Sequence, residues 1–155
     1  MSSANQRDEF LTDGEFRAWH GCLRFIGGAM SALDDALRSG HGISLNEFDV
    51  LITLYNAPNS QLRMTELSKR VLLTASGLTQ LVTRLDSQGL VTRNVDKGDR
   101  RSFFATLTRA GHRRLRESRP THNEVIRSRL TRRLSLKQLE ALGSMWEGVE
   151  ASGPA

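Results

Sequence analysis

The chain of 155 residues has little of what staples, anchors or arms a small protein. Cys22 is its only cysteine, so no disulfide can close within it, and a reducing, intracellular setting is expected. No apolar run approaches the ~18–20 residues that cross a bilayer. The opening residues lack the apolar core of a signal peptide. These absences predict a soluble, cytoplasmic protein with no membrane association. The four histidines, His20, His41, His112 and His122, are dispersed and form no cluster with Cys22 or carboxylates, so no metal site is expected. No nucleophile–base arrangement and no phosphate-cradling loop occurs, which argues against an enzyme and against a resident cofactor.

What the chain does have is an uneven charge. Its formal net charge is +5. Residues 93–133 hold 13 Lys/Arg against 4 Asp/Glu, whereas residues 1–62 hold 4 against 8. A basic stretch flanked by acidic ends reads as a nucleic-acid footprint or as a solvated basic helix surface.

The apolar residues are patterned. Thr12-Asp13-Gly14-Glu15 fits a capping box, after which Phe16, Trp19, Leu23, Ile26, Met30, Leu33 and Leu37 recur at alternating spacings of three and four. So long a seam calls for another helix to lie on it. Gly21, Gly27 and Gly28 weaken this helix, unless a neighbouring backbone comes close there. Ser44-Leu45-Asn46-Glu47 is a second capping box; the helix behind it is expected to bury Phe48, Leu51, Ile52 and Tyr55 and to stop at Pro58. Gln61–Arg63 reads as a very short strand and Met64–Val71 as a short helix. Leu72-Leu73-Thr74 is a turn before a helix over 75–87 with Leu78, Leu81, Val82 and Leu85 inward. Gly89 suits a left-handed cap. Two strands, 90–95 and 102–107, flank a charged turn. Thr108 can cap a basic helix in which Pro120 either makes a kink or starts a new segment. Ser135-Leu136-Lys137-Gln138 opens the last helix.

Short helix, tight turn, second helix, glycine, strand, charged turn, strand: this is the order of a winged helix-turn-helix. The second helix of such a unit lies in the major groove. Between its apolar positions it offers Ser76, Thr79, Gln80, Thr83 and Arg84, short or planar hydrogen-bonding groups without negative charge. Thr74 and Ser76, at its N-terminus, can meet a phosphate. The hairpin turn carries Lys97, Arg100 and Arg101, which can reach an adjacent minor groove, and Asp99 can fix an arginine by a charge-assisted pair. Arg113, Arg114, Arg116 and Arg119 follow as either phosphate contacts or a solvated face.

Three stretches resemble the MarR family of winged-helix regulators: Met64–Val71; Ser76–Leu85 with Gln88-Gly89-Leu90-Val91; and, most specifically, Asp99-Arg100-Arg101-Ser102 with Leu107-Thr108 and Gly111. The resemblance spans roughly residues 12–150. It implies a mainly α fold with a small β-wing: an N-terminal dimerisation helix (1–43), a winged helix-turn-helix lobe (44–110) and C-terminal dimerisation helices (111–155), intertwined in a homodimer. It also implies double-stranded DNA as partner, at a palindromic operator, most often with repression. Ser76, Thr79, Gln80 and Arg84 would face the major groove and Arg101 the minor, with Asp99 holding the wing arginine. A small-molecule effector would bind between the dimer region and the DNA lobe. Phe16, Trp19, Phe25 and Met30 either line that pocket or pack the core. Cys22 is either a structural residue or, as in peroxide-sensing relatives, a redox switch.

Overall fold

The computed structural model describes residues 11–95 and 103–151. Its order is α1 (Asp13–His41), α2 (Leu45–Tyr55), a 3-10 turn (Pro58–Ser60), β1 (Gln61–Arg63), α3 (Met64–Ser68), α4 (Ala75–Ser87), β2 (Val91–Val95), β3 (Phe103–Leu107), α5 (Arg109–Arg129), a 3-10 turn (Thr131–Arg133) and α6 (Leu136–Ala151). This is the mainly helical fold with a small wing sheet that the sequence predicts.

Local chemistry sets the boundaries. The Thr12 hydroxyl accepts from Glu15 N–H while the Glu15 carboxylate accepts from Thr12 N–H, so both expected capping-box bonds form at the start of α1. Ser44 and Glu47 do the same for α2, and Ser135 with Gln138 does so before α6. Gly42, at φ 64°, ends α1, and Gly89, at φ 70°, turns the chain from α4 into β2; both need the left-handed region that a side chain disfavours. α5 runs unbroken through Pro120, so no new segment begins there.

The three strands pair antiparallel in the order β1-β3-β2, with Leu62 opposite Ala105 and Val91 opposite Leu107. One core joins the sheet to the helices: Leu37 and Ile43 at the end of α1, Phe48, Val50, Leu51 and Leu54 on α2, Leu67 on α3, Leu78, Leu81, Val82 and Leu85 on α4, Leu115 on α5. Two expectations need correction here. α2 buries Val50 and Leu54, whereas Ile52 is half-buried and Tyr55 exposed, because α2 is covered on its sheet side as well as by α5 and so turns Tyr55 outward at its end. α3 ends at Ser68 rather than Val71, since Val71 leaves the helix to enter the core from the following turn.

The seam of α1 divides in two. Leu37 is fully buried, but Phe16, Trp19, Leu23, Ile26 and Met30 are all exposed, as are Leu136, Met145, Trp146 and Val149 of α6. Among the described residues, apart from the helix's own nearby backbone, no heavy atom lies within 4 Å of where a β-carbon would stand on Gly21 or Gly27, so they supply no close neighbouring backbone at those two positions.

The motif Leu107-Thr108-x-x-Gly111 has a geometric explanation. Thr108 Oγ1 accepts from Gly111 N–H at 3.0 Å and donates to the Gly89 carbonyl at 2.7 Å, so one hydroxyl caps α5 and ties it to the turn after α4. A β-carbon on Gly111 would clash with the Leu90 carbonyl oxygen and the Leu107 side chain. Gly111→Ala is therefore expected to destabilise the chain by about 1–3 kcal/mol, the usual cost of overpacking, and urea unfolding at equilibrium measures it; an unchanged midpoint would contradict the close approach.

Candidate nucleic-acid interface

α4 is built to keep one face dry and the other free. Its stripe of Leu78, Leu81, Val82 and Leu85 is buried, which leaves Ser76, Thr79, Gln80, Thr83 and Arg84 on the solvent side. Thr74 caps the helix by accepting from Gly77 N–H at 3.2 Å. No acidic residue stands in the first turn, so the positive end of the helix dipole is uncompensated and suited to a phosphate. The Ser76 hydroxyl lies 3.4 Å from that of Thr74. Thr79 and Thr83 donate to the carbonyls of Ala75 and Thr79, one turn back, so their hydroxyls are engaged by the helix itself. Gln80 has no side-chain hydrogen-bond partner among the described residues. Its amide is free for the paired donor–acceptor edge of a base.

Arg84 is different. Its Nε donates to Glu47 Oε1 at 3.1 Å, and the Glu47 side chain is only 7% exposed. The sequence reading missed this partner, 37 residues away in the chain. It also missed Arg93. That side chain leaves β2 to lie over the Phe103 ring, 4.8 Å from its centroid, and donates to the Thr83 hydroxyl at 3.1 Å. Arg93 thereby ties the base of the wing to α4. Lys97, Asp99, Arg100 and Arg101 lie outside the described residues. The hairpin that carries them is paired as far as Val95 and Phe103.

Comparison with known proteins decides the family. A MarR family model matches residues 41–102, the stretch from α2 to the wing. The chain is 31% identical to Sco3205, a MarR family transcriptional regulator from Streptomyces coelicolor solved in complex with DNA. That match covers 95% of this chain and 92% of the other, with a TM-score of 0.87. The chain belongs to the MarR family of transcriptional regulators. AbsC, another such regulator of S. coelicolor, is 26% identical, with 93% and 97% of the two chains covered and a TM-score of 0.85. The transcriptional repressor YetL of Bacillus subtilis is 34% identical over 88 residues, 57% of this chain and 53% of its own length. The chain thus spans about half the length of such sequence relatives.

In this MarR regulator the four aromatic and sulfur-bearing residues proposed for an effector pocket do not come together. Phe16, Trp19 and Phe25 are exposed on α1, whereas Met30 borders a cavity. That cavity, of about 550 Å³, lies among α1, α2, the turn after α3 and α5, with Phe48, Asp49, Ile52, Arg70, Arg119 and His122 in its wall. A second, of about 440 Å³, borders Tyr55, His112, Arg116, Arg119 and Arg127. Of the basic cluster after the wing, Arg114 is otherwise engaged: it donates to the His41 carbonyl at 2.9 Å and holds the end of α1 on α5. Cys22 is half-buried and has no hydrogen-bond or ion-pair partner among the described residues. The structure lends no support to a redox switch.

The cavity wall holds a titratable pair. The His122 ring stacks on Phe48 at 4.3 Å. Burial pushes its imidazole below the ordinary 6.5, and the positive charge of Arg119 adds to the fall; the contact with Asn123 and the Asp49 charge oppose it. Burial raises the Asp49 carboxyl above 3.8, against the pull of His122. Because folded His122 binds its proton less readily than unfolded His122, the unfolded state takes up the proton first as pH falls below about 6.5. Stability is therefore retained above that pH and lost as pH drops towards the depressed folded-state value. Urea midpoints at ~pH 8 and ~pH 5.5 should fall further for wild type than for His122→Asn. Equal falls would contradict the burial argument.

Proposed function

We propose that this protein is a homodimeric repressor that holds a palindromic double-stranded operator and leaves it when a small molecule binds. The reading of α4 as the recognition helix rests on one observation: α4 is buried along a single stripe and presents Ser76, Thr79 and Gln80 uncovered beside an uncompensated helix N-terminus. Ser76, Thr79 and Gln80 face the major groove, with Thr74 at a phosphate. Arg101, positioned by Asp99, enters the minor groove, and Lys97 and Arg100 flank it on the phosphates. The likeness to YetL supports repression.

Dimerisation is supported by the exposed stripe of Phe16, Trp19, Leu23, Ile26 and Met30, together with Trp146 and Val149 of α6. Apolar surface on this scale, arranged at heptad spacing, is what a second helix layer covers. In this reading residues 1–43 and 111–155 form the dimer region and residues 44–110 the DNA lobe. The effector occupies the cleft walled by Met30, Phe48, Asp49 and His122, where α1 of the dimer region meets α2 and the turn before α4.

Two measurements test the reading. With an operator selected from a random DNA library, anisotropy titrations should show that Gln80→Ala weakens binding by roughly ten- to a hundredfold, about 1–3 kcal/mol for a lost base contact. Arg101→Ala should weaken it strongly and flatten the dependence of affinity on salt. Unchanged affinity in both would remove the assignment of α4 and the wing. For the dimer, Ile26→Asp should sediment as a monomer at concentrations where wild type is a dimer; a dimeric variant would place the interface elsewhere.

A further inference from the structure

We propose that Arg84 does not read DNA: with Glu47 it is a positioning pair that fixes the angle of α4 against the end of α1, and so the half-site spacing the dimer accepts. The inference rests on the reading of α4 as the recognition helix. It starts from the use made of one buried carboxylate. Glu47 Oε2 accepts from Ser44 N–H at 2.7 Å and from the Ser44 hydroxyl at 2.9 Å, while Oε1 accepts from Arg84 Nε. A single side chain thus closes the N-terminus of α2 and grips the third turn of α4.

The same corner is tied to α1. Asp34 Oδ1 accepts from Leu45 N–H at 2.8 Å, and Oδ2 accepts from Arg38 Nε. Those two bonds hold the Asp34 carboxyl below its ordinary range. From α1 to α4 there is an unbroken polar path: Asp34, the first turn of α2, Glu47, Arg84. α2 and α4 share the core, but α1 and α4 do not pack closely on one another. Between α1 and α4 runs a cleft of about 300 Å³, with Arg38, Ser44, Gln80 and Arg84 on its polar border and Leu73 and Leu81 on its apolar one. Where side chains interdigitate, packing alone fixes a helix angle; across the cleft between α1 and α4 the bridge does so. Glu47 is too buried to touch DNA, so any effect of its loss on DNA passes through Arg84 and α4.

The exposed half of α1 is the proposed dimer seam. A tie from α1 to α4 therefore connects the dimer axis to the groove-facing helix, and its loss should loosen the separation of the two α4 helices. Operators one helical turn apart reward a fixed separation.

The test uses the full-length dimer and the operator selected with wild type, remade with half-sites moved by one and two base pairs in each direction. Wild type should prefer one spacing. Arg84→Met and Glu47→Gln should each narrow the preference for that spacing over its neighbours by about threefold or more. The double variant should fall within about twofold of either single one, as members of one unit do. Affinity for non-operator DNA and the salt slope should stay at wild-type values for both. If Arg84→Met instead lowers affinity by the same factor at every spacing and reduces the salt slope while Glu47→Gln changes neither, Arg84 is a DNA contact and the proposal is wrong. A lower melting temperature with an unaltered spacing preference would likewise overturn it. Wild type without any spacing preference would overturn the recognition-helix reading as well, which separates the two failures.

Discussion

Everything at the interface depends on the burial of one stripe of α4. Leu78, Val82 and Leu85 are at most 1% exposed, and Leu81 is 6%. Each such side chain contributes about 1.5–3 kcal/mol when taken out of water. Rotating α4 by one residue position would expose part of that stripe and bury Ser76, Gln80 or Arg84 instead, with a desolvation penalty for every polar group left unpaired. Hydrophobic burial thereby decides which side of the helix meets solvent. The set proposed to face the groove is what remains.

Burial fixes the rotation of α4 but not its tilt. Tilt is set by polar ties in and beyond its C-terminal half. At the C-terminal side Thr108 reaches the Gly89 carbonyl, and Gly111 lets α5 sit against Leu90 without a clash. Towards α2, Arg84 meets Glu47. Across the solvent side Arg93 links Thr83 to the ring of Phe103, so wing and helix move as one unit. A half-exposed ion pair between two surface chains would be worth little. The Glu47 end is buried and already engaged by Ser44, so its carboxylate is held in place before Arg84 arrives, and less side-chain entropy is lost on pairing.

The features legible in the sequence are those governed by near neighbours. Thr12 with Glu15, Ser44 with Glu47 and Ser135 with Gln138 act over three residues, and the apolar spacing of α4 acts over four, so both the helix starts and the buried face of α4 could be read directly. The exposed half of the α1 seam was legible too, as a stripe in want of a partner. Tyr55 was not: its spacing matches a core position, but the helix ends there and only three-dimensional packing places it outside. Arg84 was legible as a polar residue on the open face and illegible as a partner of Glu47, since no local pattern signals a contact over 37 residues. The aromatic residues of α1 show another limit of local pattern. Helical spacing puts Phe16, Trp19 and Met30 on one side of α1 and Phe25 on the other, but it does not show that a cavity borders Met30.

The central claim is that the face of α4 bearing Gln80 enters the major groove twice, once from each protomer. Affinity cleavage tests it most directly. With Cys22 replaced by Ser, Gln80→Cys would carry an iron chelate that cuts DNA nearby. The account predicts two cleavage patches about one helical turn apart, ~10 base pairs between centres or a multiple of that, and none from the same chelate on Glu140→Cys of α6. Cleavage from Glu140→Cys at the operator, or none from Gln80→Cys while the operator is bound, would contradict it.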